Sequence, residues 1–398
     1  MSEPSTHLDT YLLHAGLAKF DADTGAAPVA MPAMRSSTVR FQNLDALDQA
    51  QARLNQGERV PVYGRGGLDT HAALEEVLCT LEKGHKAYLV PSGMAAISLG
   101  VLGAVRQGDH VIVVDCAYAP VRVFDKGLAS RLGIEISYVA PTLAAIQAAK
   151  QPNTRLVYLE SPGSLLMQMM DVPAIAAWAR EAGLRTAIDN TWGSGVAYQP
   201  LAMHVDISIV SATKYISGHS DVMLGAVVLG NTELIKDFNA VFYGLGYSVS
   251  ADDVWLALRG VRTLSLRMQQ SADNALSVAQ YLEQQPEVVQ VYHPALPSDS
   301  GHALWQRDAL GSNGLVSFSL QASVEQARAF VDALALFGIG YSWGGFESLV
   351  QLVDPSLSGP HSYWTQRDIP LIRLYTGLEH NEDLLADLHQ AFQSLRQA

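Results

Sequence analysis

Seven short apolar runs punctuate the middle of the chain: "KAYLV" (86–90), "HVIVV" (110–114), "IEISYV" (134–139), "RLVYL" (155–159), "RTAID" (185–189), "DISIV" (206–210) and "LGAVVL" (224–229). The first six are apolar enough for strands buried on both faces. Between them the pattern turns helical, as in "APVRVFDKGLASRLG" and "VPAIAAWAREAG". Repeated βα units of this kind predict an α/β fold around a mainly parallel, seven-stranded sheet. The stretch 87–105 is uncharged and long enough to span a bilayer, but "PSG" interrupts it, which predicts a strand, a tight turn and a buried helix instead. From about Leu264 the pattern changes to a long helix, "LRMQQSADNALSVAQYLEQQ", followed by strands such as "GLVSFSL" and helices such as "VEQARAFVDALAL". Three parts follow: an N-terminal segment (1–62), poorly periodic apart from "LDALDQAQARLN" and suited to contacting a neighbouring subunit; a large domain (63–262); and a smaller α+β domain (263–398).

In open α/β sheets, ligands bind beyond the carboxyl ends of the strands. That rule selects 91–94, 115–118, 160–164, 189–192 and 211–214. Lys214, in "SATKYISGHSD", can trap a carbonyl if its surroundings favour the neutral amine, although a strand-end lysine can also simply snorkel to water. Ser211 and Thr213 flank it, and an extended backbone would turn both hydroxyls to one side as anion donors. In "PSGMAA" the N–H groups of Gly93 and Met94 would open a helix towards an anion, or else serve only a tight turn. Asp189 ends an apolar strand and needs a partner, which a protonated ring nitrogen or a local helix cap would supply. Tyr118 offers a flat face for stacking, or a core ring. In "YGRGG" (63–67), Tyr63 and Arg65 lie in a flexible loop that suits a phosphate contact or plain solvation. Arg373 sits inside the apolar strand of "PLIRLYTGLE" and requires a carboxylate, either a substrate's or an internal one.

Taken together, an imine-forming lysine, an acid for a ring nitrogen, a ring to stack and several phosphate donors meet the needs of pyridoxal 5′-phosphate. Other chemistries fare worse. The 26 basic against 39 acidic residues give a formal net charge of −13, which disfavours nucleic acid or an anionic membrane as partner. The histidines form no HExxH or other persuasive metal set; "HAALE" (71–75) marks one helix face, and His219 suits a supporting hydrogen bond. No GxGxxG or Walker loop follows a strand. The two cysteines, Cys79 and Cys116, lie far apart, and no apolar leader pattern opens the chain, so a reducing, cytoplasmic setting is expected.

"SATKYISGHSDVMLGAVV" resembles the lysine signature of the Cys/Met-metabolism family of pyridoxal-phosphate enzymes, and "YGRGG", "LESPGS", "IDNTW" and "IRLYTGLE" follow the family's order over about residues 8–395. Within the family, "LESPGS" and "GYSWGGFESL" (from Gly340) are similar to the bacterial cystathionine β-lyases; γ-lyases and synthases more often carry Asn-Pro after "ESP" and lack this tryptophan. The resemblance implies PLP fold-type I, aspartate aminotransferase-like, and a homotetramer of two tight dimers that share their sites. It implies that Lys214 binds the cofactor covalently and that Asp189 pairs with its ring nitrogen. Tyr118 would stack on the ring. Gly93, Met94, Ser211 and Thr213 would hold the phosphate, with Tyr63 and Arg65 from the neighbouring subunit. Arg373 would take the substrate carboxylate beside Ser342 and Trp343, and Lys214, Tyr118 and Tyr63 would form the catalytic set. The implied substrate is an amino-acid thioether, L-cystathionine, cleaved to homocysteine, pyruvate and ammonia. A cysteine-S-conjugate lyase, a γ-lyase, a γ-synthase or a non-enzymatic ligand-binding protein on this scaffold are the alternatives. The chain departs from some γ-lyases at Pro120, where they have a cysteine two residues after the stacking tyrosine.

Overall fold

A computed structural model describes residues 7–357 and 359–397. All seven apolar runs are strands: β1 (Lys86–Val90), β2 (His110–Val114), β3 (Glu135–Val139), β4 (Thr154–Glu160), β5 (Arg185–Asp189), β6 (Ile207–Val210) and β7 (Gly225–Leu229). They form one sheet in the order β1-β7-β6-β5-β4-β2-β3. Only β7 runs against its neighbours, pairing antiparallel with both β1 and β6. The other adjacent pairs are parallel. One expectation fails at the edge: β3 is half-exposed because nothing pairs with its outer side. β2, β5, β6 and β7, in contrast, each pair on both sides and are almost wholly buried.

The uncharged stretch divides as its Pro-Ser-Gly interruption requires, into β1 and a helix over Gly93–Leu102 capped by Ser92, whose hydroxyl accepts the N–H of Ala95 at 3.1 Å. The helical pattern of 119–133 is realised only in pieces: one α turn (Val121–Phe124), a wide π turn (Asp125–Ala129) and a 3-10 turn (Ser130–Leu132). Gly127 and Gly133 both weaken a continuous helix there, and Gly133 ends it in the left-handed region.

A second sheet follows in the order β10-β11-β12-β9-β8, from β8 (Val288–Tyr292), β9 (Leu315–Leu320), β10 (Gly338–Ile339), β11 (Leu349–Leu352) and β12 (Leu371–Tyr375). Helices Leu264–Glu283, Val324–Ala333 and Asn381–Gln397 pack on it around a core that includes Phe318, Phe330 and Phe392. The N-terminal segment holds a helix the periodicity misses, Leu8–His14, besides the expected Leu44–Asn55. Leu12 enters the core of the large sheet, and Trp255 Nε1 donates to Met31 O at 2.8 Å. Phe20 and Val29 nevertheless stay about four-fifths exposed, at 78% and 80%. No helix among the described residues is long and apolar enough to cross a membrane.

Candidate active site

The ends of β4, β5 and β6 bring the selected residues to one edge of the large sheet. After β6 the chain does not stay extended: Lys214 N–H donates to Ser211 O at 3.0 Å, closing a tight turn. The expected alternation of Ser211 and Thr213 is therefore wrong in its geometry. Thr213 Oγ1 donates to Leu224 O at 3.1 Å and accepts from Leu224 N–H at 2.9 Å, strapping the turn to the start of β7. Ser211 N–H donates to Thr191 Oγ1 at 2.8 Å, while its hydroxyl faces Gly93. A Cβ on Gly93 would lie 2.7 Å from Ser211 Oγ, so only glycine permits this approach.

Lys214 meets a loop from the smaller domain. Its Nζ donates to Ser342 Oγ at 2.5 Å and sits 5.5 Å from the centre of the Trp343 ring. Ser342 holds φ 90°, a left-handed conformation that costs a side-chain-bearing residue energy. Two residues on, Gly344 has φ +87°, and a Cβ there would stand 2.9 Å from Lys214 Cβ. Burial first, and then the charge of Arg373, lower the Lys214 pKa to about 8, with Asp189 opposing them. A fall from the ordinary 10.5 raises the neutral-amine fraction at neutral pH by roughly 300-fold.

Asp189 is buried, and one carboxylate oxygen accepts Thr191 N–H at 3.0 Å. Burial pushes its pKa up, against the Thr191 hydrogen bonds and the Lys214 charge. Across the pair β4–β5, Glu160 and Asp189 are register partners. Glu160 Oε2 accepts the backbone N–H of Tyr118 at 2.6 Å, and the Tyr118 ring stays 44% exposed at the mouth of the site. Arg373, buried in β12, donates from Nη2 to Gln351 Oε1 at 2.9 Å, its cross-strand partner. Among the described residues no Asp or Glu lies within ion-pair distance of it. Desolvation lowers its pKa to about 10, opposed by Tyr118 and Glu160. Of the two partners the sequence allowed for this arginine, the internal carboxylate is absent among those residues.

The arrangement fits pyridoxal phosphate. The N–H groups of Gly93 and Met94 open a ten-residue helix beside Ser211, with no acceptor among the described residues. Asp189 is a buried carboxylate without an ion-pair partner among the described residues, and Lys214 nearby is an amine whose pKa is lowered to about 8. Tyr63 and Arg65 do not join this group. They line a separate cavity of about 470 Å³ with Met34, Arg35 and Asp252, and Arg65 Nη1 donates to Tyr243 O at 3.4 Å. His219 Nδ1 bonds to Ser217 O at 2.7 Å, a supporting contact. Glu160 was inside the quoted "LESPGS", yet its link to Tyr118 spans 42 positions and left no local signal. Another buried carboxylate, Glu82, accepts from Asn190 Nδ2 and Ser208 Oγ, both at 2.8 Å, just behind Asp189. The sequence pattern does not single it out.

Known proteins resemble this chain over nearly its whole length. A cystathionine beta-lyase of Bordetella avium is 53% identical over 392 residues, 98% of this chain and 99% of that protein. The cystathionine beta-lyase of Escherichia coli (strain K12) is 40% identical over 392 residues, covering 97% and 98%. The crystal structure of cystathionine gamma-lyase from Lactobacillus plantarum complexed with L-serine superposes with a TM-score of 0.87 at 32% identity, covering 98% of this chain and 100% of that one. The family described as Cys/Met metabolism PLP-dependent enzyme matches residues 9–393. With residues 9–393 matched by the family and a 53% identical relative covering 98% of the chain, the chain belongs to that family of pyridoxal-phosphate enzymes.

Proposed function

We propose that this chain is a carbon–sulfur β-lyase that cleaves L-cystathionine to homocysteine, pyruvate and ammonia. The observation that carries the proposal is Arg373: a buried guanidinium beside a reactive lysine, with only a neutral amide as its bonded partner among the described residues. An amino-acid carboxylate completes it, and the amino acid's Cα then lies towards Lys214. The 53% identity to the Bordetella avium protein supports the choice of thioether.

Pyridoxal phosphate, when bound, withdraws electrons from the substrate's Cα and makes its proton removable. The chain's own residues do the rest. Lys214 Nζ would hold the cofactor, and its amine is placed to take the Cα proton, with Ser342 and Trp343 aiming it. Asp189 would face the ring nitrogen, Gly93, Met94 and Ser211 would hold the phosphate, and Thr213 braces their turn. Tyr118 would lie against the ring. As the Cβ–S bond breaks, its electron pair stays with sulfur, which takes from Lys214 the proton removed from Cα and leaves as the thiol of homocysteine; the remaining three-carbon fragment takes up water and gives pyruvate and ammonia.

Tyr63 and Arg65 serve the site of a second copy, in a homotetramer of paired dimers; their distance from the Lys214 group and the exposed Phe20 and Val29 support that. The two free thiols suit a reducing cytoplasm. A panel of L-cystathionine, other cysteine thioethers and L-methionine tests the substrate: kcat/KM is expected to be highest for L-cystathionine. A clear preference for another cysteine conjugate assigns a different β-lyase.

A further inference from the structure

The mechanism leaves one ionisable group at the site without a task. Glu160, half-buried at the end of β4, stands opposite Asp189 in register on β5. Register partners on neighbouring parallel strands project to the same face, about 4.8 Å apart. Two carboxylates so placed do not ionise together readily. The surroundings decide which keeps the proton. Asp189 has hydrogen bonds from Thr191 and the charge of Lys214 on its side. Glu160 has the Tyr118 N–H at 2.6 Å, the charge of Arg373 and the hydroxyl of Ser164 on its side, although Arg373 gives its hydrogen bond to Gln351. Also near are Tyr158 on its own strand and, from the turn after β2, the buried thiol of Cys116 with Asp115 beside it. None of these three favours a second negative charge. Desolvation, and then Asp189, accordingly hold the Glu160 carboxyl well above its ordinary range.

We infer that Glu160 is a positioning residue that works in its neutral form: it anchors the Tyr118 loop through the Tyr118 N–H and leaves Arg373 free for the substrate carboxylate. An ionised Glu160 would become the internal anion that Arg373 lacks, and substrate would have to compete with it. The inference depends on Arg373 being the carboxylate site proposed above. Sequence alone gave no hint of it, because Tyr118, Glu160, Asp189 and Arg373 come from four separate strand ends or strands.

The test compares holoenzyme of wild type, Glu160→Gln and Glu160→Asp with L-cystathionine across pH, reading KM and kcat separately. In wild type, KM should rise by up to about tenfold per pH unit once Glu160 ionises, with kcat moving less. Glu160→Gln keeps the acceptor for Tyr118 N–H but cannot ionise, so its KM should match wild type within about twofold at neutral pH and stay flat above it. Glu160→Asp withdraws the carboxyl from Tyr118 and should lower kcat without restoring the wild-type profile. Infrared spectra of protein labelled with ¹³C-glutamate give a readout independent of turnover: the wild-type minus Glu160→Gln difference at neutral pH should contain the carbonyl band of a protonated carboxyl. If that variant does not fold, Glu82→Gln removes the other raised glutamate, and the band must persist in it. Absence of the band, or an unchanged KM profile in Glu160→Gln, overturns the inference. A wild type that forms no keto acid from L-cystathionine would instead indict the substrate proposal, while the infrared difference still judges Glu160.

Discussion

Lys214 illustrates how a residue acquires reactivity from its neighbours. Its amine is desolvated, faces Arg373 and is held by Ser342, so its pKa falls to about 8. Cofactor-free protein should therefore combine with pyridoxal phosphate at a rate that climbs with pH and levels off near 8, where a surface lysine would keep climbing to about 10. Stopped-flow absorbance across pH checks this. Lys214→Ala should lose turnover by at least about 10²–10⁴-fold while remaining folded. Arg373→Leu should reduce kcat/KM by about 10²-fold or more, since it removes the partner of a buried charge. Steady-state kinetics measures both. Lys214, Asp189 and Arg373 were legible because each placed a charge in an apolar strand or at its tip. Glu160 and Glu82 were not, because their meaning lies in the tertiary hydrogen bonds to Tyr118, Asn190 and Ser208.

Elements were the most legible level. The seven strands, four to seven residues long, fall where apolar runs of five or six residues do, since burial on both faces leaves continuous apolar sequence. The helix Leu8–His14 was missed because only Leu12 is buried, too little for a visible period. The turn at 211–214 was misjudged because the strap of Thr213 to Leu224 depends on the start of β7, not on local spacing. The junction of β1 with its following helix is sensitive to a single methyl. Gly93→Ala places a Cβ 2.7 Å from Ser211 Oγ, so Ser211 or the helix must shift. Cofactor affinity should fall roughly ten- to a hundredfold, measured by equilibrium titration, with the far-ultraviolet circular dichroism unchanged.

For the whole molecule, two outcomes follow from how distant parts meet. If Tyr63 and Arg65 complete a neighbour's site, inactive Lys214→Ala and inactive Arg65→Ala chains refolded together should regain activity, to about a quarter of wild type, because one site in each mixed dimer is intact. Activity no greater than the separate variants would place both residues outside the site. Stability carries a second signature. Burial raises Glu82 to about 7 from 4.5, so the folded state holds a proton that the unfolded state has released between those values. The sign is that stability falls as pH rises through this window, by a total on the order of 3 kcal/mol. Glu82→Gln should flatten that slope in denaturant titrations at pH 4.5 to 8, and an unchanged slope would assign it to other groups.

The central claim is the β-elimination of a thioether at Lys214, and the identity of the keto acid tests it most directly. Purified holoenzyme given L-cystathionine should release pyruvate and homocysteine in equal amounts, and Lys214→Ala should release neither. Formation of 2-oxobutyrate and cysteine by the wild type, or pyruvate formation by Lys214→Ala at the wild-type rate, would contradict the account.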